Sequence, residues 1–383
     1  MTDKPRRDRS RVRRAVATVV LVAGAFLVAG VLAEAVLRVA RIPGITYHTF
    51  RFDELTGQRF YPNTTLIYRN ARGDEVRRKV NHWGYLDRVH DVARPEGVVR
   101  IGFFGDSFTE ARQVPLDSTF CRRIERGLNA NVASPRYECI VIAMAGYSTL
   151  QSYLECGRWM DTLALDRVVY VFCENDPANN VPSLNMSDAV PYPVLVDDSL
   201  TIDRSFALRY ANKRRWFHRA WQYLKSHTLL FSTLETRWHF LRSRGVRVHV
   251  DEAERFMGAP AGPGSPISAN TPPSMLPDSL RTLCTQLTGR VLLNWKHDVE
   301  TGGRTFAVLY IPRASELKKP EEERDSWAAW LLAFCRTNNI EIIDPSTRFA
   351  RAEERGQELY YDHLTSDGHA ELTAEFLERF ETR

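Results

Sequence analysis

Several familiar chemistries are missing from this 383-residue sequence. Its six cysteines stand at 121, 139, 156, 173, 284 and 335, and no two are spaced as CxxC. That removes a zinc ribbon or a thioredoxin-type motif. The glycines of residues 258–277, GAPAGPGSPISANTPPSMLP, are not followed by Gly-Lys-Ser/Thr, so they form no phosphate loop and read as a Pro/Gly/Ser-rich connection. Internal repeats are absent. The formal charge of +5 comes from the first 14 residues, which hold seven basic and two acidic side chains. Without them, 45 basic residues face 45 acidic ones, and a general nucleic-acid-binding surface loses its support. With 26% charged and 44% hydrophobic residues, the chain is no disordered tail. Its length allows one large domain with additions, or two domains.

Charge is also missing from residues 15–33, AVATVVLVAGAFLVAGVLA. As a helix this run spans about 28 Å, close to the hydrocarbon thickness of a bilayer. The preceding arginines predict a cytoplasmic N-terminus and an extracytoplasmic remainder. The expected organisation is a basic tail (1–14), a signal-anchor (15–38), a lead-in (39–98) and a main domain (99–383). A cleaved signal peptide is the alternative, with Val31-Leu32-Ala33 as a cleavage point, but the apolar run exceeds the usual core of about 7–15 residues. Gly24 and Gly30 would let another helix approach the span.

Beyond the lead-in lie five apolar runs of strand length: 100–105, 139–145, 167–173, 305–312 and 340–345. Helix-like stretches separate them. This alternation predicts a parallel five-stranded sheet covered by helices on both faces, an α/β/α sandwich. In such sheets ligands bind beyond the carboxyl ends of the strands. Cys139 and Cys173 sit in two of these runs, where buried free thiols are expected, although export would permit disulfides. Residues 179–275 interrupt the rhythm as a helical insertion. Acids are scarce there: residues 204–250 hold eleven basic residues and one acid, Glu235, interleaved with aromatics including Trp216, Trp221 and Trp238. Such a segment either touches an anionic membrane surface or packs its aromatics on the main domain with solvated arginines outside.

The polar residues at the strand ends carry the chemistry. The first strand runs into FFGDSFTEA, which puts Ser107 just past a glycine turn, either as a nucleophile or as a helix cap with Asp106. The second ends in AMAGYST, where Gly146 leaves its backbone N–H unobstructed. The third ends in FCENDP, where Asn175 offers a side-chain amide. With the N–H of Ser107 these groups would make an oxyanion hole, a set of donors aimed at charge that develops in acyl transfer. Near the C-terminus, YYDHLTSDGHAELTAEFLERF places His363 in a loop before a helix that Thr365, Ser366 or Asp367 can cap. A histidine there can take the Ser107 proton and return it to a leaving group. His369 falls inside the helical pattern and is expected to pack.

Together GDSFT (105–109), AGYST, END (174–176) and DHLTSDGH resemble the blocks of SGNH hydrolases, the GDSL esterase/lipase family, in the same order. The resemblance covers about residues 99–178 and 300–383, and the N-terminal anchor and NHWGY element look like membrane-anchored bacterial members. It implies a flavodoxin-like three-layer sandwich, Ser107 as nucleophile, Gly146 and Asn175 in the oxyanion hole, and His363 as base. No metal or organic cofactor is needed for that chemistry. Two departures stand out. The third block usually reads Gly-x-Asn-Asp, and Cys173 replaces the glycine. The acid usually precedes the histidine by two or three residues, where this chain has Tyr361 and Tyr360. The nearest acid is Asp362, and neighbouring side chains meet only across a bend. Asp362 through a turn, a backbone carbonyl, or a weak site are the options.

The function expected is therefore an extracytoplasmic serine esterase acting on an acyl ester of a lipid or glycan. The alternatives are an O-acyltransferase that passes the acyl group to a cell-envelope polysaccharide, or a non-catalytic protein of the same fold that binds glycan or lipid.

Overall fold

The computed structural model describes residues 7–40, 50–69, 74–130, 136–211, 216–234, 267–319 and 323–381. With no proline or acid to interrupt it, the apolar run lies within one helix, α1 (Arg7–Ala40), whose residues 11–29 are all exposed. α1 is long and apolar enough to cross a membrane. It belongs to a unit of Met1–His48 and Arg219–Arg247, and a second unit comprises Thr49–His218 and Val248–Arg383.

The second unit opens with two antiparallel hairpins, β1 (Phe50–Asp53) with β2 (Gly57–Phe60), and β3 (Thr65–Arg69) with β4 (Glu75–Lys79). The NHWGY element that follows is a turn built on Asn81, whose Oδ1 accepts the backbone N–H of Trp83 at 3.1 Å and of Tyr85 at 3.0 Å. These pieces are pinned to the main domain by buried charge. Glu155 accepts hydrogen bonds from Arg59 at 3.2 Å and from the Tyr85 hydroxyl at 2.7 Å. Asp87 accepts the backbone N–H of Val141 at 2.8 Å and pairs with His90 at 3.0 Å.

The five apolar runs become β5 (Val99–Gly105), β6 (Tyr137–Ala143), β7 (Arg167–Phe172), β10 (Thr305–Tyr310) and β11 (Glu341–Ile343). They form one parallel sheet in the order β11-β10-β7-β5-β6. The period of two divides each strand between two cores. Val168, Tyr170 and Phe172 join Trp295, Leu292 and Leu331 on one face. Val169 and Val171, with Ile101 and Phe103 of β5, join Phe120, Leu372 and Phe376 on the other. Helices at Thr149–Trp159, Asp278–Thr301 and Ala328–Thr337 supply the first face, and helices at Phe120–Leu128 and Ser366–Glu381 the second. The result is the three-layer α/β/α sandwich. The six cysteines are all buried free thiols: five lie inside a strand or a helix, and Cys173 directly follows β7.

Among its described residues the insertion combines helices with a β-hairpin. It contains short helices at Ser205–Arg209 and Trp216–His227, but also a hairpin of β8 (Tyr192–Val196) and β9 (Ser199–Asp203). Asp197 and Asp198 form its two-residue loop with φ of 47° and 61°. Positive φ at both positions suits the twist of a tight hairpin, and Asp tolerates it better than most residues. Trp238, Glu235 and residues 258–266 of the loop at 258–277 lie outside the described residues.

Candidate active site

The sheet order makes β5 the switch point: the chain leaves it for β6 on one side and returns to β7 on the other. A crevice opens above the carboxyl ends of strands at such a point. Gly105 closes β5, and a Cβ there would lie 2.3 Å from Thr109 Oγ1 and 3.0 Å from the Val171 carbonyl oxygen, so only glycine fits. One short helix follows, α2 (Ser107–Glu110), which ends at Ala111 in the left-handed region. Asp106, not Ser107, caps it: Asp106 Oδ1 accepts the Phe108 N–H at 2.9 Å. Ser107 is thereby left at the first helical position, where its backbone N–H has no intrahelical acceptor.

The partner of the Ser107 side chain comes from the far end of the chain. Ser107 Oγ and His363 Nε2 are 2.8 Å apart. His363 is 8% exposed and its ring lies 4.6 Å from that of Phe108. The loop that carries it is a tight turn, in which Tyr360 and Leu364 form an isolated antiparallel bridge and the Tyr361 N–H donates to the His363 carbonyl at 3.0 Å. Thr365 Oγ1 then accepts the Gly368 N–H at 3.1 Å and caps the last helix.

That turn is the bend that lets adjacent side chains approach. Asp362 Oδ2 stands 3.5 Å from His363 Nδ1, a charge-pairing distance longer than a hydrogen bond. Nδ1 is buried, and among the described residues no carbonyl or other acceptor bonds to it. The same Oδ2 accepts the Tyr68 hydroxyl at 2.6 Å, and Oδ1 accepts the His363 backbone N–H at 3.0 Å. Burial would raise the Asp362 carboxyl, but the facing imidazole and the Tyr68 hydroxyl outweigh it and hold the carboxyl well below the usual range. Burial, with the Asp362 carboxylate beside it, pushes the Tyr68 phenol well above its ordinary value, so it stays a donor.

On the opposite side of Ser107, Asn175 donates a side-chain N–H to Asp106 Oδ2 at 3.2 Å. A primary amide has two such hydrogens, so one remains for a substrate oxygen. Cys173, where a glycine is usual, donates its thiol to Asp106 Oδ1 at 3.3 Å and its backbone N–H to Asp176 Oδ2 at 2.8 Å. Burial raises both carboxyls, and the facing Asp106 charge pushes Asp176 further above its ordinary value. Gly146 has a φ of +80°, which a side chain would strain. Its loop is tied to α2: Ala145 N–H donates to Glu110 Oε2 at 2.6 Å, and Glu110 Oε1 pairs with Arg112 at 2.6 Å.

The structure thus places His363 between Ser107 on its Nε2 side and Asp362 on its Nδ1 side, and sets Gly146 and Asn175 on segments held by α2 and by its cap. His369 stands apart. It is buried, stacks on Phe120, and accepts the Phe120 backbone N–H at 3.3 Å on Nδ1. Burial, with Arg78 and Arg123 nearby, lowers it to about 3. Sequence reasoning did not find Tyr68, Glu110 or Arg112. Glu110 alone left a signal, as a charged residue in the turn directly after the GDS motif. Among the described residues no group of three or more His, Cys, Asp or Glu is arranged to hold a metal.

No protein-family model and no curated protein matches the chain. Among solved structures it is similar to an acetyl xylan esterase, AlAXEase, at 14% identity over 73% of this chain and 99% of that one, with a TM-score of 0.38. The lipase/acylhydrolase from Enterococcus faecalis matches at 12% identity over 75% and 97% of the two chains, TM-score 0.38. A member of the lipolytic protein G-D-S-L family from Veillonella parvula DSM 2008 matches at 11% identity over 74% and 99%, TM-score 0.37.

Proposed function

We propose that this chain is a serine ester hydrolase of the SGNH type, held at a membrane by residues 15–33 with its N-terminus cytoplasmic, and acting outside on an acyl ester of a lipid or an O-acylated glycan. The observation that carries it is the 2.8 Å contact between Ser107 Oγ and His363 Nε2 at the sheet's switch point. Ser107 Oγ attacks the acyl carbonyl carbon while its proton passes to His363 Nε2. The carbonyl oxygen takes the negative charge and is met by the N–H groups of Ser107 and Gly146 and the second amide hydrogen of Asn175. Asp362 stabilises the imidazolium, which then protonates the departing alcohol oxygen. Water, deprotonated by the same histidine, attacks the acyl-serine and frees the acid and Ser107.

Reaction of the whole protein with a fluorophosphonate tests this. An adduct mapped to Ser107 by mass spectrometry, and its loss in His363→Ala, is the expected result. Unchanged ester turnover by Ser107→Ala would overturn the assignment. An acyl donor supplied with a glycan acceptor distinguishes hydrolysis from transfer, since transfer yields an acylated glycan.

A further inference from the structure

The geometry points to a second membrane contact: residues 219–234 lie in the outer bilayer leaflet alongside α1, with Trp221, Tyr223, Leu224 and Leu234 immersed among lipid chains and headgroups. This inference rests on α1 being the membrane span. It begins from the pattern of burial on α1. Residues 11–29 are all exposed, but Gly30, Ala33, Glu34 and Leu37 are partly covered. Spacings of three and four put these residues on one stripe of the helix. What covers it belongs to the same unit. Glu34 accepts the backbone N–H of Leu229 at 3.1 Å and of Leu230 at 2.8 Å. Arg38 pairs with Glu34 at 2.7 Å and donates to the His227 carbonyl at 2.9 Å. Leu230 packs over Gly30, within 3.8 Å of where a Cβ would stand.

The contact fixes a depth. The charge-free run ends at Ala33, and Gly30 lies three residues inside it. At about 1.5 Å per residue, Leu230 therefore sits roughly 5 Å below the end of the apolar span. That matches the ~5–10 Å to which an interfacial helix buries its apolar face. The carboxylate of Glu34, met by two N–H groups and a guanidinium, satisfies the polar groups that this depth would otherwise strand.

The segment is chemically fit for such a position. Residues 216–234 contain no acid, and Arg219 is exposed. In the same stretch Trp221 is 41%, Tyr223 57% and Leu234 54% exposed. A helix bearing exposed Trp and Tyr beside a spanning helix suits the headgroup boundary, where such rings are enriched. A phospholipid bilayer is the one partner already continuous with α1, and no second protein surface is needed to cover these side chains. Two attachments, one spanning and one interfacial, would hold the segment in the leaflet.

The test uses the full chain reconstituted in phosphatidylcholine/phosphatidylglycerol vesicles, with and without bromine on the acyl chains. The emission of Trp221 is the difference between the unaltered protein and Trp221→Phe. Loss of that component in brominated vesicles is expected, together with its recovery in Glu34→Ala, whose α1 still resists alkaline carbonate extraction. An unquenched Trp221 component in protein that resists extraction would overturn the inference while leaving the anchor intact. Release of the chain by carbonate would overturn the anchor and this contact together, and neither outcome bears on Ser107.

Discussion

Replacing Tyr68 with phenylalanine removes one oxygen and leaves the ring. Tyr68 sits on the β3 hairpin, 294 positions from Asp362, and its hydroxyl reaches the same carboxylate oxygen that faces His363. A hydrogen bond to a charged acceptor contributes about 1.5–3 kcal/mol, and this one is half-buried, so the lower figure applies. One decade of rate corresponds to about 1.4 kcal/mol, so kcat should fall roughly tenfold. KM should stay level, because Tyr68 acts through Asp362 and not on substrate. The assay is hydrolysis of a short-chain nitrophenyl ester, with the single variants and the double variant Tyr68→Phe/Asp362→Asn. If the hydroxyl works through the carboxylate, Tyr68→Phe should cost little in a chain that already carries Asp362→Asn. Fully additive losses, or an unchanged kcat in Tyr68→Phe, would refute the reasoning.

Glu110→Gln should lower kcat about tenfold and cost about 1–3 kcal/mol of stability, because it leaves Arg112 unpaired and loosens the acceptor that holds the Ala145 N–H beside Gly146. Slower phosphonylation of Ser107 in a folded variant would check it. Buried Asp87, held well below its usual range by Arg122 and His90 against the cost of burial, carries the NHWGY turn onto β6. Asp87→Asn should lower the unfolding midpoint in urea by removing one partner from a buried charge cluster, a loss of about 3–5 kcal/mol. His369 is lowered to about 3 in the fold, below its unfolded value near 6.5. Its neutral form therefore stabilises the protein fully above about pH 6.5, and that stability drains away as pH falls toward 3, by up to about 1.4 kcal/mol per unit. Urea titrations from pH 7 to 4 should show a shallower decline in His369→Gln.

Local chemistry decided much of this protein in advance. The apolar runs of β5, β6, β7, β10 and β11 pair by period and length, and the stretches between them are amphipathic, so a covered parallel sheet was legible from order alone. Ser107, Gly146 and Asn175 follow strands directly, so a shared rim could be read without knowing distances. The hairpin of β8 and β9 was hidden because Asp-Asp is a weaker turn signal than Asn-Gly, and the surrounding basic residues suggested helix. Tertiary structure alone decided who completes the site. The tyrosine that hydrogen-bonds Asp362 comes from a hairpin of the lead-in that carries no motif, and Glu155 and Asp87 dock that lead-in on the main domain. The choice between cap and nucleophile was likewise not local: Asp106 and Ser107 are both competent caps in isolation. The nucleophile reading is favoured because the fold delivers an imidazole to Ser107 Oγ, across 256 positions that no pattern of neighbours encodes, and gives the Phe108 N–H to Asp106.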